Sequence, residues 1–210
     1  MRILAKLNKI SHYIYYLLGE GISKLIILFS ISFFTNYFDK SSFGKLSLFW
    51  ICIPIFSVFI DFSQRSYVKY IYINYKLKIN EVIQSVRIFS TISFLFLYLI
   101  FWVFNFFDIV LIDKELDYLI LLCSYFFVIL EISLSYFQIK GNAIRYNIIF
   151  TLRQALPYVL TVLYLFFFSG NIMSFGIIHL IVVIPLTLYL VYNGDFIKIS
   201  LESFFATIKS

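Results

Sequence analysis

The chain has 210 residues, 62% of them hydrophobic and 13% charged, with a formal net charge of +6 and a mean hydropathy of +0.94. A soluble domain carries about 25% charged residues, so this composition excludes one. Nor does the positive charge indicate nucleic acid, because the basic residues are interleaved with Tyr, Ile and Phe at the ends of apolar runs, where anionic lipid headgroups lie.

In chain order, residues 1–12 place Ile3, Leu4, Leu7 and Ile10 on one helical face opposite Arg2, Lys6 and Lys9, the pattern of a cytoplasmic amphipathic segment on a membrane surface. This is not a cleaved signal: Glu20 and Lys24 interrupt the hydrophobic region, and no small-residue cleavage site follows before Asn36. A bilayer core of about 30 Å takes roughly 20 helical residues per crossing. On that measure the apolar runs predict six spans at about 13–36, 45–62, 87–107, 116–138, 146–168 and 172–192. Residues 88–107 carry no charge at all, and neither do 154–194, which are broken only at Ser169-Gly170-Asn171. The runs lack the alternation of barrel strands, and backbone groups in lipid must bond within their own segment. The expected fold is therefore an all-α membrane protein, a bundle of six transmembrane helices over residues 13–192.

Charge sets the expected orientation. The N-terminus, the 63–87 loop, the 139–145 loop and the tail together hold twelve Lys and Arg, against Lys40, Lys45 and Lys114 on the other side. The positive-inside rule then places both termini in the cytoplasm, and the acidic 108–117 loop, with Asp108, Asp113, Glu115 and Asp117, outside.

The charges inside the spans are the candidate functional residues. Glu20 and Lys24 lie on the first span, Asp61 closes the second, Glu131 lies on the fourth, and Arg153 beside Gln154 on the fifth. An ionisable side chain in a bilayer normally faces a partner or a wet cavity. Counting about 1.5 Å of rise per residue, Glu20, Glu131 and Arg153 come out roughly 10 Å below the cytoplasmic surface, with Lys24 deeper. This predicts a polar cavity open toward the cytoplasm. Structural pairing accounts for the same residues in another way: Glu20 and Lys24 four apart on one helix, and Glu131 with Arg153 across two. Asp61, at a span end, reads as a solvated or helix-terminal residue, and His179, on the sixth span with no acid or second His nearby, more as a satisfied packing residue than as a proton carrier, so these two are the less favoured cavity candidates. Pro54, Pro157 and Pro185 each fall within a span, and Pro157 lies one turn past Arg153, where a kink would re-aim it.

The 27 Phe and 17 Tyr suit lipid-facing and interfacial positions, such as Tyr67, Tyr70, Tyr72 and Tyr75 beside Lys69, Lys76 and Lys78. Cys52 and Cys123 fall in apolar runs and form no disulfide or metal pattern. No Gly-rich phosphate loop, paired-His metal motif or Gly-x-Ser-x-Gly elbow occurs, so no cofactor is expected.

Four short stretches carry a family resemblance. The charge-bearing first span leads into Ser42-Phe43-Gly44-Lys45-Leu46-Ser47, then Asp61-Phe62 and a basic loop; Tyr136-Phe137-Gln138 and Tyr146-Asn147 mark the fourth-to-fifth junction. In these, and in the spacing of its spans, the chain resembles bacterial polysaccharide biosynthesis proteins, the lipid-linked oligosaccharide flippases of O-antigen type in the multidrug/oligosaccharidyl-lipid/polysaccharide exporter superfamily. Ser63 stands where the family often has Gly. The resemblance implies an inner-membrane transporter, not an enzyme, moving undecaprenyl-pyrophosphate-linked oligosaccharide to the outer leaflet for lipopolysaccharide and related surface glycans. It implies Lys24 and Arg153 as cavity cations, Glu20 and Glu131 as their partners with Gln154 alongside, and coupling to protons or sodium as an open choice. Members have two bundles, so residues 193–210 resemble a linker to a second one. The chain then reads as a truncated product, a fragment or half of a split transporter, whose partner is a second half. The competing readings are a membrane polymerase or ligase of lipid-linked glycans, disfavoured by short outer loops poor in Arg and His, and a non-catalytic membrane subunit.

Overall fold

The computed structural model describes residues 2–64, 66–68, 70, 79–110 and 112–193, with the side chains of Leu17 and of residues 19–191 among them. Among the described residues there are six long helices: α1 (Arg2–Tyr37), α2 (Lys40–Asp61), α3 (Ile79–Phe106), α4 (Lys114–Ile139), α5 (Ala143–Phe167) and α6 (Ile172–Asn193). Five of them, α2 to α6, are long and apolar enough to cross a membrane. Residues 2–12 continue the same helix as 13–36, while their side chains, and with them the expected amphipathic face, lie outside the described residues. So do residues 194–210 of the linker-like tail, and Lys69, Tyr72, Tyr75, Lys76 and Lys78 of the interfacial cluster.

Local chemistry sets the helix ends. The Asp39 carboxylate accepts from the Ser41 N–H at 3.2 Å and caps α2; Asn142 does the same for α5 through the Arg145 N–H at 3.2 Å. Between α4 and α5, Gly141 turns the chain at φ +68°, a conformation strained for any residue with a Cβ. Pro54, Pro157 and Pro185 all sit inside helices, as their positions in the apolar runs required. Ser57 and Thr161 donate to the Pro54 and Pro157 carbonyls, each at 2.7 Å, so these polar side chains find partners within their own helix.

At the centre stands α4. Of its apolar stretch 61% is buried, against 17–33% in the other four, because α2, α3, α5 and α6 all pack on it. By contrast α1 lies mainly against α5, where Gly19 permits close approach: a Cβ there would meet the Asn147 Oδ1 at 3.0 Å. On the periphery, α3 exposes Ile92, Leu95, Phe96, Leu99, Trp102 and Phe106, a continuous apolar face of the kind that lipid covers.

α3 begins eight residues before the expected span start at 87. Ile79, Val82, Ile83 and Val86 form a buried stripe at helical spacing, packed with Ile60, Val128 and Ile132, and this carries the helix back through Glu81, Gln84 and Arg87.

Candidate functional site

A polar cavity of about 240 Å³ opens at the end of the bundle where α2 and α4 finish and α5 begins. One face of α4 supplies Glu131, Leu134, Ser135 and Gln138, at the i, i+3, i+4, i+7 spacing that keeps them in line. The end of α2 supplies Asp61 with Ser63 and Ser66, and α5 supplies Tyr146. The chain turns sharply after Asp61, with Phe62 at φ 44° and Ser63 at φ 62°, and so folds its polar residues back over the cavity. Asp61 is only 1% exposed. It is helix-terminal, as its position indicated, yet buried rather than solvated.

Glu131 also reaches away from the cavity, where its carboxylate accepts a hydrogen bond from the Arg153 guanidinium in a salt bridge. The two side chains differ in access, Arg153 at 2% and Glu131 at 21% exposure. Arg153 is the largest fully buried side chain of the bundle. Its guanidinium carbon lies 4.4 Å from the Phe127 ring centre and 5.2 Å from that of Phe150, so quadrupole attraction adds to the ion pair. Beyond it, His179 of α6 lies within electrostatic reach of the Arg153 charge and 6.1 Å from the Phe175 ring. Both His179 ring nitrogens are buried and find no hydrogen-bond partner among the described residues, and the same holds for the Arg153 Nε. His179 is therefore not the satisfied packing residue its isolation suggested. Glu131, Arg153 and His179 form a polar column across α4, α5 and α6, at roughly 12, 15 and 21 Å of helix from the ends nearest the cavity.

Other expected residues stand apart from this column. Glu20 and Lys24 pair at 2.8 Å within α1, and their side chains are 52% and 73% exposed on the face turned away from the bundle, beside exposed Leu17, Leu25 and Leu28. Gln154, next to Arg153 in sequence, is half-buried and does not line the cavity. One half-buried cation went unrecognised in the sequence: Arg87, counted with the basic loop, donates from its Nη2 to the Oγ of buried Ser133 at 2.6 Å. The backward continuation of the α3 stripe was the signal that would have found it. At the far end of the bundle, Lys45 pairs with Asp113 at 2.7 Å and Lys114 with Asp108 at 2.6 Å. The hydrogen bond from Lys114 holds the Asp108 carboxyl below the usual carboxylate range. Among the described residues, no three His, Cys, Asp or Glu side chains gather as a metal site would require.

A protein of Haemophilus influenzae described as an uncharacterized membrane protein is 28% identical to this chain over 183 residues, covering 85% of the chain. The chain spans 43% of that relative's length. It is a multi-pass membrane protein. No family model matches the chain, and no solved structure matches it. The membrane assignment gives the column its weight, since buried charge in such a setting is costly and marks paths or binding sites for polar solutes.

Proposed function

We propose that the chain is one bundle of a flippase that moves undecaprenyl-pyrophosphate-linked oligosaccharide from the cytoplasmic to the outer leaflet of a bacterial inner membrane. In this reading all six helices cross, both termini are cytoplasmic, and the cavity opens to the cytoplasm. The observation that carries it is Glu131, which borders a polar cavity and pairs with the buried Arg153 behind it. A pyrophosphate is anionic and needs a cation that does not hold it irreversibly. Arg153 is such a cation, because Glu131 competes for it. The far half of the bundle supports the same direction of loading: Phe34, Trp50, Tyr158 and Phe175 pack there with ring centres 5.3–6.4 Å apart, so the polar column is closed at that end. The exposed Glu20–Lys24 pair belongs, in this reading, to the face that meets the second transporter half.

The test is complementation in the parent bacterium. Disruption of the gene is expected to abolish surface glycan and to accumulate the lipid-linked repeat on the cytoplasmic side, and the full chain to restore export. Arg153→Gln is expected to restore far less at equal membrane abundance. Full surface glycan in the disrupted strain, or with both Arg153→Gln and Lys24→Gln, would sink the assignment.

A further inference from the structure

The outward side of α1 carries an ion pair where lipid alone is a poor neighbour. Among the described residues α1 packs against α5 and, through Phe34, against Trp50 of α2, while Ser23, Ser30 and Phe34 mark its inward side. Along the other side run Leu17, Gly21, Lys24, Leu28, Ile31 and Thr35, spaced four and three residues apart in turn, the spacing of a seam that a second helix can follow. Leu17 and Leu28 are well exposed, and Glu20 flanks the seam, paired with Lys24. Lys24 and Glu20 lie about 20 and about 26 Å of helix from the α1 end at Tyr37, within a hydrocarbon core of about 30 Å. Ionisable side chains at such depth normally face protein or a wet cavity. The cavity beside Glu131 does not reach these two, being lined from α4, α5 and the end of α2.

Gly21 marks the same side. Gly19 is small because α5 needs the room, with the Asn147 Oδ1 3.0 Å from where a Cβ would stand, whereas a Cβ at Gly21 would meet nothing within 4 Å. The packing of its own bundle does not call for a glycine at 21. A second helix laid along the seam gains a close approach there.

The charges choose the partner. The seam holds an acid and a base one turn apart, so it is complementary to itself. A two-fold axis along the membrane normal sets α1 against α1 with both helices running the same way, as copies inserted in one topology must. Lys side chains lean back toward the helix N-terminus, which carries Lys24 of each copy toward the height of Glu20 on the other. Each carboxylate then has two cations in reach and each cation two carboxylates, in a contact that closes on itself.

We propose that the chain pairs with a second copy of itself along the Leu17–Thr35 seam of α1, so that the second transporter half is another copy; this rests on the flippase reading, in which α1 crosses the membrane and a second half is needed.

The experiment uses the full chain in bacterial membranes, with Cys52→Ala and Cys123→Ala removing the native thiols. On mild oxidation Leu17→Cys and Leu28→Cys are each expected to give a disulfide-linked dimer of twice 24.9 kDa, and Ile181→Cys, on the exposed face of α6, none. Glu20→Lys and Lys24→Glu, each combined with Leu28→Cys, break the pair within the helix and across the seam alike, so each alone should lose the linked dimer. Co-expressed, the chain with two cations and the chain with two carboxylates should restore a crossed dimer, which a pair acting only within one helix would not do. Links that ignore these charges, no link from either seam cysteine, or a link to a different polypeptide overturns the proposal. So does a wild-type chain that light scattering finds as one copy per detergent micelle, a measurement that needs no variant. A single-copy chain that restores surface glycan overturns the pairing and leaves the flippase reading standing. A charge-dependent dimer in a strain whose surface glycan does not depend on the chain keeps the α1 pairing and overturns the flippase reading.

Discussion

Removing Glu131 should cost more than removing the cation it pairs with, and the structure says why. Glu131→Leu leaves Arg153, 2% exposed, charged and without its carboxylate; breaking a buried pair in this way costs about 3–5 kcal/mol. Arg153→Met leaves Glu131, which borders the cavity and can turn to water, so the loss is nearer the desolvation of one imperfectly paired group, about 1–3 kcal/mol. The double variant Glu131→Leu/Arg153→Met removes both charges and keeps most of the volume. It should be less destabilised than Glu131→Leu alone, giving a coupling of about 2 kcal/mol or more. The assay is equilibrium unfolding of the four proteins in mixed micelles, followed by helical circular dichroism and by Trp50 and Trp102 fluorescence. A Glu131→Leu variant within about 0.5 kcal/mol of the wild type would refute the reasoning, because it would mean that Arg153 finds water or another anion at no cost.

The α4–α6 seam makes a separate prediction: Gly176→Ala places a Cβ against Leu119 Cγ at 2.9 Å and Phe49 Cε2 at 3.3 Å, and overpacking of this kind costs about 1–3 kcal/mol. Unfolding of Gly176→Ala beside Gly176→Ala/Leu119→Ala checks it, with partial rescue expected in the pair. Arg87→Ala removes a charge-assisted hydrogen bond to buried Ser133 and should cost about 1.5–3 kcal/mol by the same unfolding assay. Asp108 is held below the usual carboxylate range by Lys114, so whatever it contributes is present above the ordinary carboxylate range and is lost as pH falls through its lowered value. Carboxyl-labelled NMR should find its midpoint displaced upward in Lys114→Ala.

Much of this fold was legible because hydropathy reports the surroundings that a membrane protein must satisfy. The runs at 116–138, 146–168 and 172–192 correspond to α4 (Lys114–Ile139), α5 (Ala143–Phe167) and α6 (Ile172–Asn193) within three residues at either end. The start of α3 was not legible in the same way. Glu81, Gln84 and Arg87 end the apolar run, yet the helix continues through them on a buried stripe, since helix length and lipid exposure are separate properties. Among the candidate residues, Glu131 and Arg153 could be paired in advance because each stands nearly alone in an apolar run at a similar depth. Glu20 came out at the same depth and, with Lys24, is elsewhere. What decides is the rotation of α1 about its axis: Ser23, Ser30 and Phe34 turn inward, and the Ser23 and Ser30 hydroxyls bond to their own helix at 2.8 Å, leaving Glu20 and Lys24 on the outside. That rotation depends on packing against α5, which a single sequence read one helix at a time does not contain.

The two halves of the bundle are built on different principles, and the difference bears on why the polar column exists. At the α1–α2 and α5–α6 turns, Phe34, Leu46, Phe49, Leu119, Ile120 and Phe175 make an apolar core, the ion pairs of Lys45 with Asp113 and Lys114 with Asp108 stay at the surface, and buried Asp117 accepts a hydrogen bond from the Ile112 N–H at 3.1 Å. At the opposite end, Asp61, Arg87, Glu131 and Arg153 are brought inside. Stability alone does not select that arrangement, because a buried pair replaced by apolar side chains of similar volume is often neutral or more stable. Register is a second use for buried charge, but α4 is already fixed by four neighbours and a long apolar seam. The Glu131–Arg153 pair lies beside the polar cavity that Glu131 borders, and there an exchangeable partner for Arg153 has a use that a structural bridge does not. A double variant that is stable but no longer exports would separate these roles; one that exports normally would return the column to structure.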